Sequence, residues 1–231
     1  MRQIVGLMGV LAAAFAMLPA QAKNKQLTED YVREPMPPGF KVIVTDFEGP
    51  VYADAKGKTF YNWPITGLRN GDAGEQKGKP TCDDHKYTDN AGLMSPYPGG
   101  LELPEVETRP SCTDVWPPVL AKSNAKPVGK WTVIDRPDGR KQWAYDGYAL
   151  YTSVLDRGPG DVFGGSHLSG TSEGGAQRRP VGPAPNIPPQ FAVRTVASGR
   201  LLTIGATGRS VYYSDHDAPG KSNCNRECLH T

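Results

Sequence analysis

Hydrophobic and polar residues alternate in several short segments of this chain, a pattern typical of β-strands with one buried face. The alternation is clearest over residues 131–152, WTVIDRPDGRKQWAYDGYALYT, where Pro-Asp-Gly and Asp-Gly turn signals separate three segments. The segment predicts a three-stranded meander. Five of its side chains are placed to share one buried face: Trp131, Val133, Trp143, Tyr145 and Tyr151.

A second strand pattern occurs twice in the chain. Residues 49–61, GPVYADAKGKTFY, align with residues 199–212, GRLLTIGATGRSVY, with a single gap. Each copy places alternating apolar residues on both sides of a glycine-containing turn, which predicts a β-hairpin. A further strand pattern precedes each copy, at 40–46 and at 191–197. We therefore predict an all-β, loop-rich fold built from tandem hairpin and meander repeat units.

The longest apolar run lies at the N-terminus, over residues 4–18. It follows the positive Arg2 and precedes an Ala-Gln-Ala cleavage pattern, so residues 1–22 are predicted to be a secretory signal peptide. The run is shorter than the ~20 residues that a spanning helix needs. We expect an exported protein, secreted or periplasmic, with no membrane span.

Four cysteines in an exported chain favour two disulfides, for which three connectivities exist. The repeat chooses among them, because a cysteine follows each hairpin: Cys82 in the first copy and Cys224 in the second. The sequence thus predicts the pairs Cys82–Cys112 and Cys224–Cys228. The first pair would close an inserted loop over residues 83–111, which is rich in proline, glycine and aspartate.

These patterns divide the exported chain into three parts. Residues 40–163 are predicted to form the first repeat unit, and residues 164–190, rich in glycine and proline, a linker. Residues 191–231 are predicted to form a partial second unit, because they contain the hairpin and the cysteines without the meander. We expect the tail of this partial unit to complete the first unit's sheet or to stay poorly ordered.

Charge and composition narrow the classes of partner. The chain has 26 Lys and Arg against 24 Asp and Glu, a net charge of +2. This balance provides no basic surface for a nucleic acid, so no nucleic-acid partner is predicted. Ten tyrosines and four tryptophans supply core material for a chain with many loop residues.

Several motifs resemble one known family. The segment CTDVWPP (112–118), the pattern W-T-V-I-x-R-x-D-G-x-x-Q-W-A-Y-x-G-x-x-L-Y (131–151) and the following D-x-x-P-G-D are similar to a bacterial secreted repeat of unknown function. Its members are often described as lipoproteins with a Y-x-[FWY]-x-x-D motif. The resemblance covers about residues 47–163 and 197–231. It implies a secreted location and a β fold, and the family brings no established activity.

The family's motif is present here only in part, and no lipobox cysteine follows the predicted signal peptide. Each motif tyrosine keeps either the aromatic or the acidic residue: Tyr61 with Trp63, Tyr151 with Asp156, and Tyr212 with Asp217. The other positions that carry the resemblance are Trp116, Pro117, Pro118, Asp138, Gly139, Gln142, Trp143 and Tyr145.

Candidate metal ligands cluster near the C-terminus. His216 lies between two aspartates and precedes Cys224, and His230 follows Cys228. With reduced cysteines, these side chains could ligate zinc or copper. Export favours oxidised cysteines, so the sequence predicts no cofactor, and copper or zinc is kept as the alternative.

No catalytic pattern is evident, since the chain has four histidines and no G-x-S-x-G nucleophile elbow. The sequence predicts no enzyme. It predicts an exported repeat protein of the cell envelope, a non-catalytic binding or structural module whose ligand is unknown and whose partner would be an envelope protein or polymer. The alternative is a periplasmic protein that binds copper or zinc or takes part in redox chemistry.

Overall fold

A computed structural model gives the architecture of most of the chain. It describes residues 30–64, 74–84, 110–165, 178–196, 199–212, 214 and 216–224. The predicted signal peptide, most of the inserted loop 83–111, Cys228 and His230 lie outside the described residues. None of the described helices is both long and apolar enough to cross a membrane.

The described part is nearly all β, which confirms the predicted fold class. Its elements are β1 (Lys41–Thr45), β2 (Gly49–Ala53), β3 (Tyr61–Asn62), α1 (Cys112–Val115), β4 (Leu120–Ala121), β5 (Trp131–Asp135), β6 (Lys141–Tyr145), β7 (Tyr148–Ala149), β8 (Arg179–Pro180), β9 (Phe191–Val196) and β10 (Gly199–Ile204). All pairings between these strands are antiparallel: β1 with β2, β3 with β8, β9 with β10, and β6 with β4, β5 and β7.

The predicted meander is confirmed as β5, β6 and β7. Val133 lies opposite Trp143 in the β5–β6 pair, and Tyr145 lies opposite Tyr148 in the β6–β7 pair. The second turn is Asp146-Gly147, where both residues have positive φ angles of 49° and 84°. Such a two-residue turn matches the right-handed twist of the strands that it joins.

The two aligned hairpins have the same design in the structure. After β2 the chain turns at Gly57 and returns, so that the Phe60 N–H donates to the Tyr52 carbonyl at 2.8 Å. After β10 the chain turns at Gly208, and the Val211 N–H donates to the Leu202 carbonyl at 2.8 Å. Each returning segment ends in a tyrosine.

The meander between these two hairpins repeats their design, because the Leu150 N–H donates to the Trp143 carbonyl at 3.0 Å. Its turn is shorter than those of the other two copies, which hides the similarity in a sequence alignment. We call the three copies half-units: residues 41–61, 131–151 and 191–212. They end in Tyr61, Tyr151 and Tyr212.

The first and second half-units meet at their tyrosines. The Tyr61 N–H donates to the Tyr151 carbonyl at 2.8 Å, and the Tyr151 N–H donates to the Tyr61 carbonyl at 2.9 Å. This reciprocal exchange is the pattern of a hydrogen-bonded antiparallel pair. It relates the two half-units by an approximate two-fold axis.

Each of these half-units receives one more strand, from the segment that follows the other half-unit. The Tyr52 N–H donates to the Val181 carbonyl at 2.7 Å, and the Val181 N–H donates to the Phe60 carbonyl at 2.8 Å. The second half-unit repeats both bonds: Trp143 N–H to Val119 at 2.8 Å, and Val119 N–H to Leu150 at 2.9 Å. We call residues 116–120 and 178–182 the crossing strands.

The second crossing strand lies within the segment predicted to be a linker. Arg178 and Val181 are buried there, and β8 pairs with β3. The glycine and proline content of 164–190 indicates a linker. Composition alone cannot reveal a strand of so few residues. The bounds predicted for the repeat units themselves stay predictions.

Two apolar clusters fill the space between the half-units. The larger one contains aromatic residues from both, with Tyr52 and Tyr145 at 4.8 and 5.0 Å from Trp131 between ring centroids. Trp131, Trp143 and Tyr145 therefore share a buried face, as the alternation predicts. Tyr151 belongs to the smaller cluster, with Tyr61, Trp116, Val115 and the two cysteines. It is Leu150 that pairs with Trp143 and packs in the larger cluster, so the neighbouring Tyr151 lies on the other face, with Ala149.

The disulfide Cys82–Cys112 is present in this smaller cluster, with both cysteines buried, which confirms the first predicted pair. α1 begins at Cys112 and is capped by Ser111, whose hydroxyl accepts from the Asp114 N–H. The pair Cys224–Cys228 stays a prediction, since Cys228 lies outside the described residues.

Candidate functional site at the junction of two half-units

Five of the motif residues predicted from the sequence come together where the first two half-units meet. They are Tyr61, Trp63, Trp116, Tyr151 and Asp156, and each is less than one-tenth exposed. We call this group of residues, together with the polar side chains that contact them, the junction.

The Tyr61 hydroxyl donates to Asp156 Oδ2 at 2.9 Å, although the two residues are 95 positions apart. The carboxylate also accepts from the Phe163 N–H at 2.9 Å, and the Gly164 N–H donates to the Tyr61 hydroxyl at 3.3 Å. In the sequence, Asp156 is the acidic residue that follows Tyr151. In the structure it binds the tyrosine of the other half-unit.

Burial dominates the electrostatics of this pair. Loss of solvent raises the pKa of Asp156 to about 6, against the opposing effect of its hydrogen bonds from Tyr61 and Phe163. Loss of solvent also raises the pKa of Tyr61, and the neighbouring Asp156 charge adds to that rise. The tyrosine therefore stays a neutral hydrogen-bond donor at any physiological pH.

The Tyr151 hydroxyl has an equivalent partner in Glu75. It donates to Glu75 Oε1 at 2.5 Å, and the Thr81 N–H donates to the same oxygen at 3.0 Å. Burial, followed by the charge of Glu75, raises the pKa of Tyr151. Each tyrosine is thus bound by an acidic residue from the segment that follows the other tyrosine.

Glu75 is a junction residue that the sequence analysis misses. The motif places an acidic residue five positions after its tyrosine, and for Tyr61 that position is Thr66. Glu75 takes the role of the acidic residue, although it lies farther from Tyr61 in the sequence than the spacing of the motif predicts. Its side chain is fully buried.

Arg178 is the second residue that the sequence analysis misses. Its guanidinium carbon lies over three aromatic rings, at 5.0 Å from the centroid of Trp63, 5.1 Å from Trp116 and 4.5 Å from Tyr151. Its Nη2 is 3.7 Å from Glu75 Oε1. A buried cation of this kind is stabilised by aromatic faces and by the nearby carboxylate.

A sequence signal for Arg178 does exist. It precedes Val181 by the same spacing at which Trp116 precedes Val119, and a proline comes directly before each valine. Trp116 packs on Tyr61 with centroids 5.4 Å apart, as Arg178 packs on Tyr151. The segments WPPV and RRPV are therefore the two crossing strands, with tryptophan and arginine in equivalent places.

The prolines of the W-P-P element lie in the first crossing strand. Pro118 bridges to Tyr151, and the Pro117 carbonyl accepts from the Thr152 N–H at 2.9 Å. The proline backbone has a carbonyl acceptor but no N–H donor, and at the edge of a sheet no neighbouring strand needs that donor. The element is thus accounted for by strand pairing.

The D-G-x-x-Q element supports the same junction from the β5–β6 turn. Arg136 donates to Gln142 Oε1 at 2.6 Å and to the Cys82 carbonyl at 3.0 Å, and Gln142 donates to the Leu150 carbonyl at 2.6 Å. Arg136 Nε is also 3.0 Å from Asp138 Oδ2. This chain of bonds joins the turn, the disulfide and the returning strand.

Asp138 and Gly139 shape that turn. Arg140 bonds to the Asp138 carboxylate at 2.7 Å, and this contact, with help from Arg136, holds the pKa of Asp138 well below its ordinary value. Gly139 has a φ of 81°, which a residue with a side chain rarely adopts. Both residues therefore have structural roles.

Trp143 and Tyr145 lie in the larger apolar cluster, away from the junction. The Tyr145 hydroxyl donates to Glu34 at 2.9 Å and lies 3.3 Å from the Tyr52 hydroxyl. Glu34 in turn pairs with Lys130 at 2.6 Å. These contacts bind the segment before β1 to the second half-unit.

Tyr212 and Asp217 are not brought to the junction. Tyr212 is 85% exposed. Asp217 accepts from the Asn223 N–H at 2.6 Å in an exposed turn, and that bond lowers its pKa. His216 lies beside Asp217, with its Nδ1 3.4 Å from the Ser214 hydroxyl.

The metal alternative is not tested by these positions. Among the described residues, no three side chains of His, Cys, Asp or Glu form a group that could hold a metal ion. Two of the four candidate ligands, Cys228 and His230, lie outside that part of the chain.

The junction is closed to solvent, and most of its polar groups bond to one another. Within the part of the chain that the structure describes, Trp63 Nε1, Glu75 Oε2 and Arg178 Nε are buried without a hydrogen-bond partner. Glu75, Asp156 and Arg178 are at most 2% exposed. A substrate could reach these side chains only if the two half-units separated. The arrangement is suited to holding the half-units together.

One of three comparisons with known proteins gives a match. No curated protein and no solved structure matches the chain. A family model does match, over residues 132–165, a span that runs from β5 through Asp156 to the loop whose amides bind Asp156 and Tyr61. The matching family is described as a secreted repeat of unknown function, which is the family that the sequence motifs indicate.

Proposed function

We propose that the protein is an exported structural or binding module of the cell envelope, and that its motif residues act by joining half-units. The reciprocal binding of two tyrosines by two acidic residues is the observation that carries the proposal. Tyr61 and Tyr151 pair through their backbones, and Asp156 and Glu75 hold their hydroxyls. A repeat protein whose characteristic residues are committed to internal contacts has its interaction surfaces elsewhere.

The cationic and amide side chains of the junction support a non-catalytic role. Arg178 is enclosed by three rings and a carboxylate, and Arg136 and Gln142 bond to each other and to backbone carbonyls. Catalytic groups need contact with a substrate, and these have none available while the fold is intact.

The proposed location is the periplasm or the outside of the cell. The matching family is described as secreted, and the buried disulfide Cys82–Cys112 suits an oxidising compartment. The predicted signal peptide would direct the chain there.

Elemental analysis and a thiol count on the mature protein, purified from an oxidising compartment, test this function against the metal-binding alternative. We expect four oxidised cysteines and no stoichiometric metal. Stoichiometric copper or zinc together with free thiols would contradict the proposal and favour a metal-handling protein. A protein in which Cys82 and Cys112 are both changed to serine provides the matched sample for assigning the remaining thiols to Cys224 and Cys228.

A further inference from the structure

The third half-unit has the same internal bonds as the other two. Thr203 bridges to Ser210 as Ala53 bridges to Thr59, and the Val211 N–H donates to the Leu202 carbonyl at 2.8 Å. Tyr212 therefore occupies the place that Tyr61 and Tyr151 occupy in the first and second half-units. In those two, the tyrosine is fully buried.

The edge that ends in Tyr212 is open in the described part of the chain. The backbone of Tyr212 makes no hydrogen bond to any described residue, whereas Tyr61 and Tyr151 each make two with one another. The neighbouring apolar side chains are exposed as well: Leu202 by 37%, Ile204 by 40% and Val211 by 38%. We call these residues and Tyr212 the open edge.

The pairing of the first two half-units shows what fits such an edge. Their contact is two-fold, so that each tyrosine gives the other the same pair of backbone bonds. An edge that pairs by a two-fold axis is complementary to another edge of its own design, which is the property of an isologous interface. A second copy of the chain presents an identical open edge.

We propose that two copies of this protein associate through their third half-units, with the N–H and carbonyl of Tyr212 exchanging hydrogen bonds with Tyr212 of the partner subunit. The apolar side chains of the open edge are covered in the same contact. A closed two-fold contact uses each open edge once, so the assembly stops at a dimer.

This inference goes beyond the proposed function. A monomeric protein could still be an envelope module with a closed junction, so failure of the dimer would leave the proposed role standing. Failure of the proposed role would show itself as bound metal and free thiols, which the dimer does not concern.

Sedimentation velocity of the mature protein over a range of concentrations tests the association. We expect a monomer–dimer equilibrium, and the variant Tyr212→Ala should raise its dissociation constant about tenfold or more, since a tyrosine at the centre of a contact contributes strongly to binding. Phe47→Ala is the matched control, because Phe47 is an exposed aromatic residue outside the third half-unit. It should leave the dissociation constant unchanged.

Cross-linking locates the contact without relying on affinity. Two residues that face each other in a hydrogen-bonded antiparallel pair have Cα atoms about 5.5 Å apart. Tyr212→Cys treated with a short bis-maleimide should therefore give about tenfold more covalent dimer than Phe47→Cys at the same concentration, because the bound partner holds its thiol at a high effective concentration.

Three results would overturn the inference. The first is a wild-type protein that stays monomeric up to its solubility limit, and the second is a dimer that Tyr212→Ala does not weaken. The third is equal cross-linking of Tyr212→Cys and Phe47→Cys. Thermal unfolding of Tyr212→Ala, measured at a concentration at which the wild type is monomeric, should match that of the wild type, which ensures that a loss of dimer reflects the contact and not the fold.

Discussion

Asp156 and Tyr61 make their contact across the junction, between a loop that follows the second half-unit and a strand that ends the first. Only 1% of Asp156 is exposed. Its carboxylate accepts hydrogen bonds from the Tyr61 hydroxyl and the Phe163 N–H, and the Gly164 N–H donates to the Tyr61 hydroxyl. A carboxylate in such a place is satisfied by hydrogen bonds and still disfavoured by lack of solvent. Its effect on stability must therefore depend on pH.

We predict that Asp156 makes the fold less stable as the pH rises. Its pKa in the folded protein, about 6, lies above the ordinary 3.8, so the folded state holds the proton more tightly than the unfolded state. The stabilisation of the folded state by the Asp156 proton is complete below about pH 4 and is lost as the pH rises through 6. The free energy of unfolding falls by about 2–3 kcal/mol over that range. Urea unfolding of the wild type and of Asp156→Asn at several pH values measures it.

The Asp156→Asn variant cannot lose a proton at this position, so its stability should fall less than that of the wild type between about pH 4 and about pH 7. Parallel curves for the two proteins would show that the Asp156 proton has no part in the pH dependence.

We predict that Tyr61→Phe lowers the free energy of unfolding by about 2 kcal/mol at neutral pH, because it removes a donor from a buried carboxylate. Tyr212→Phe, measured at a concentration at which the protein is monomeric, is the matched control, since it removes the same hydroxyl from an 85% exposed side chain. Its effect should stay within about 0.5 kcal/mol. Equal effects in chemical denaturation would contradict the role given to the Tyr61 hydroxyl.

At the scale of elements, the crossing strands account for the parts of the chain that lie between the half-units. Residues 178–182 have little hydrophobic pattern, yet they complete the sheet of the first half-unit through Val181. They do so at close range, because a Cβ atom added to Gly182 would lie 2.0 Å from the Pro50 carbonyl oxygen. That position accepts only glycine.

We predict that Gly182→Ala destabilises the protein by about 3 kcal/mol or more, because the backbone oxygen that it meets cannot move aside as a side chain could. Gly205→Ala is the matched control, since its nearest neighbour would lie at 3.4 Å, an ordinary contact distance. Thermal unfolding of the two variants should separate them clearly. A Gly182→Ala protein as stable as the control would mean that residues 178–182 do not occupy the crossing strand in solution.

We predict that replacing Cys82 and Cys112 together with serine lowers the free energy of unfolding by about 3–4 kcal/mol. Without the disulfide, the unfolded chain regains the conformational freedom that a crosslink between two cysteines 30 residues apart removes. Urea unfolding of the wild type and of the double variant measures the loss. A loss below about 1 kcal/mol would show that packing around α1 does most of the work of holding the loop ends together.

At the scale of the whole molecule, the sequence was sufficient for the parts that depend on local pattern. The alternation over 131–152 and the Asp146-Gly147 turn specify the meander directly, and the shared spacing of glycine and tyrosine specifies the two aligned hairpins. The pair Cys82–Cys112 followed from the same repeat.

The junction could not be predicted in the same way, because its contacts join residues that are far apart in the chain. Nothing near Tyr61 indicates that its hydroxyl binds Asp156, 95 positions away. The composition of 164–190 does not distinguish Arg178 from a solvated arginine, and its only sequence signal is the spacing to Val181 that Trp116 has to Val119. Glu75 was missed because the motif fixes a spacing that an acid from a longer segment does not need to keep.

The crossing strands also determine the order in which parts of the fold can form during synthesis. Tyr52 and Val181, which bond to each other in the first half-unit, are separated by more than half of the chain. A ribosome that adds about 5–20 residues each second takes on the order of ten seconds to cover that distance. Throughout that time the first hairpin lacks its neighbouring strand. The first half-unit is therefore completed last, whereas the second half-unit pairs with residues 116–120, which are synthesised before it.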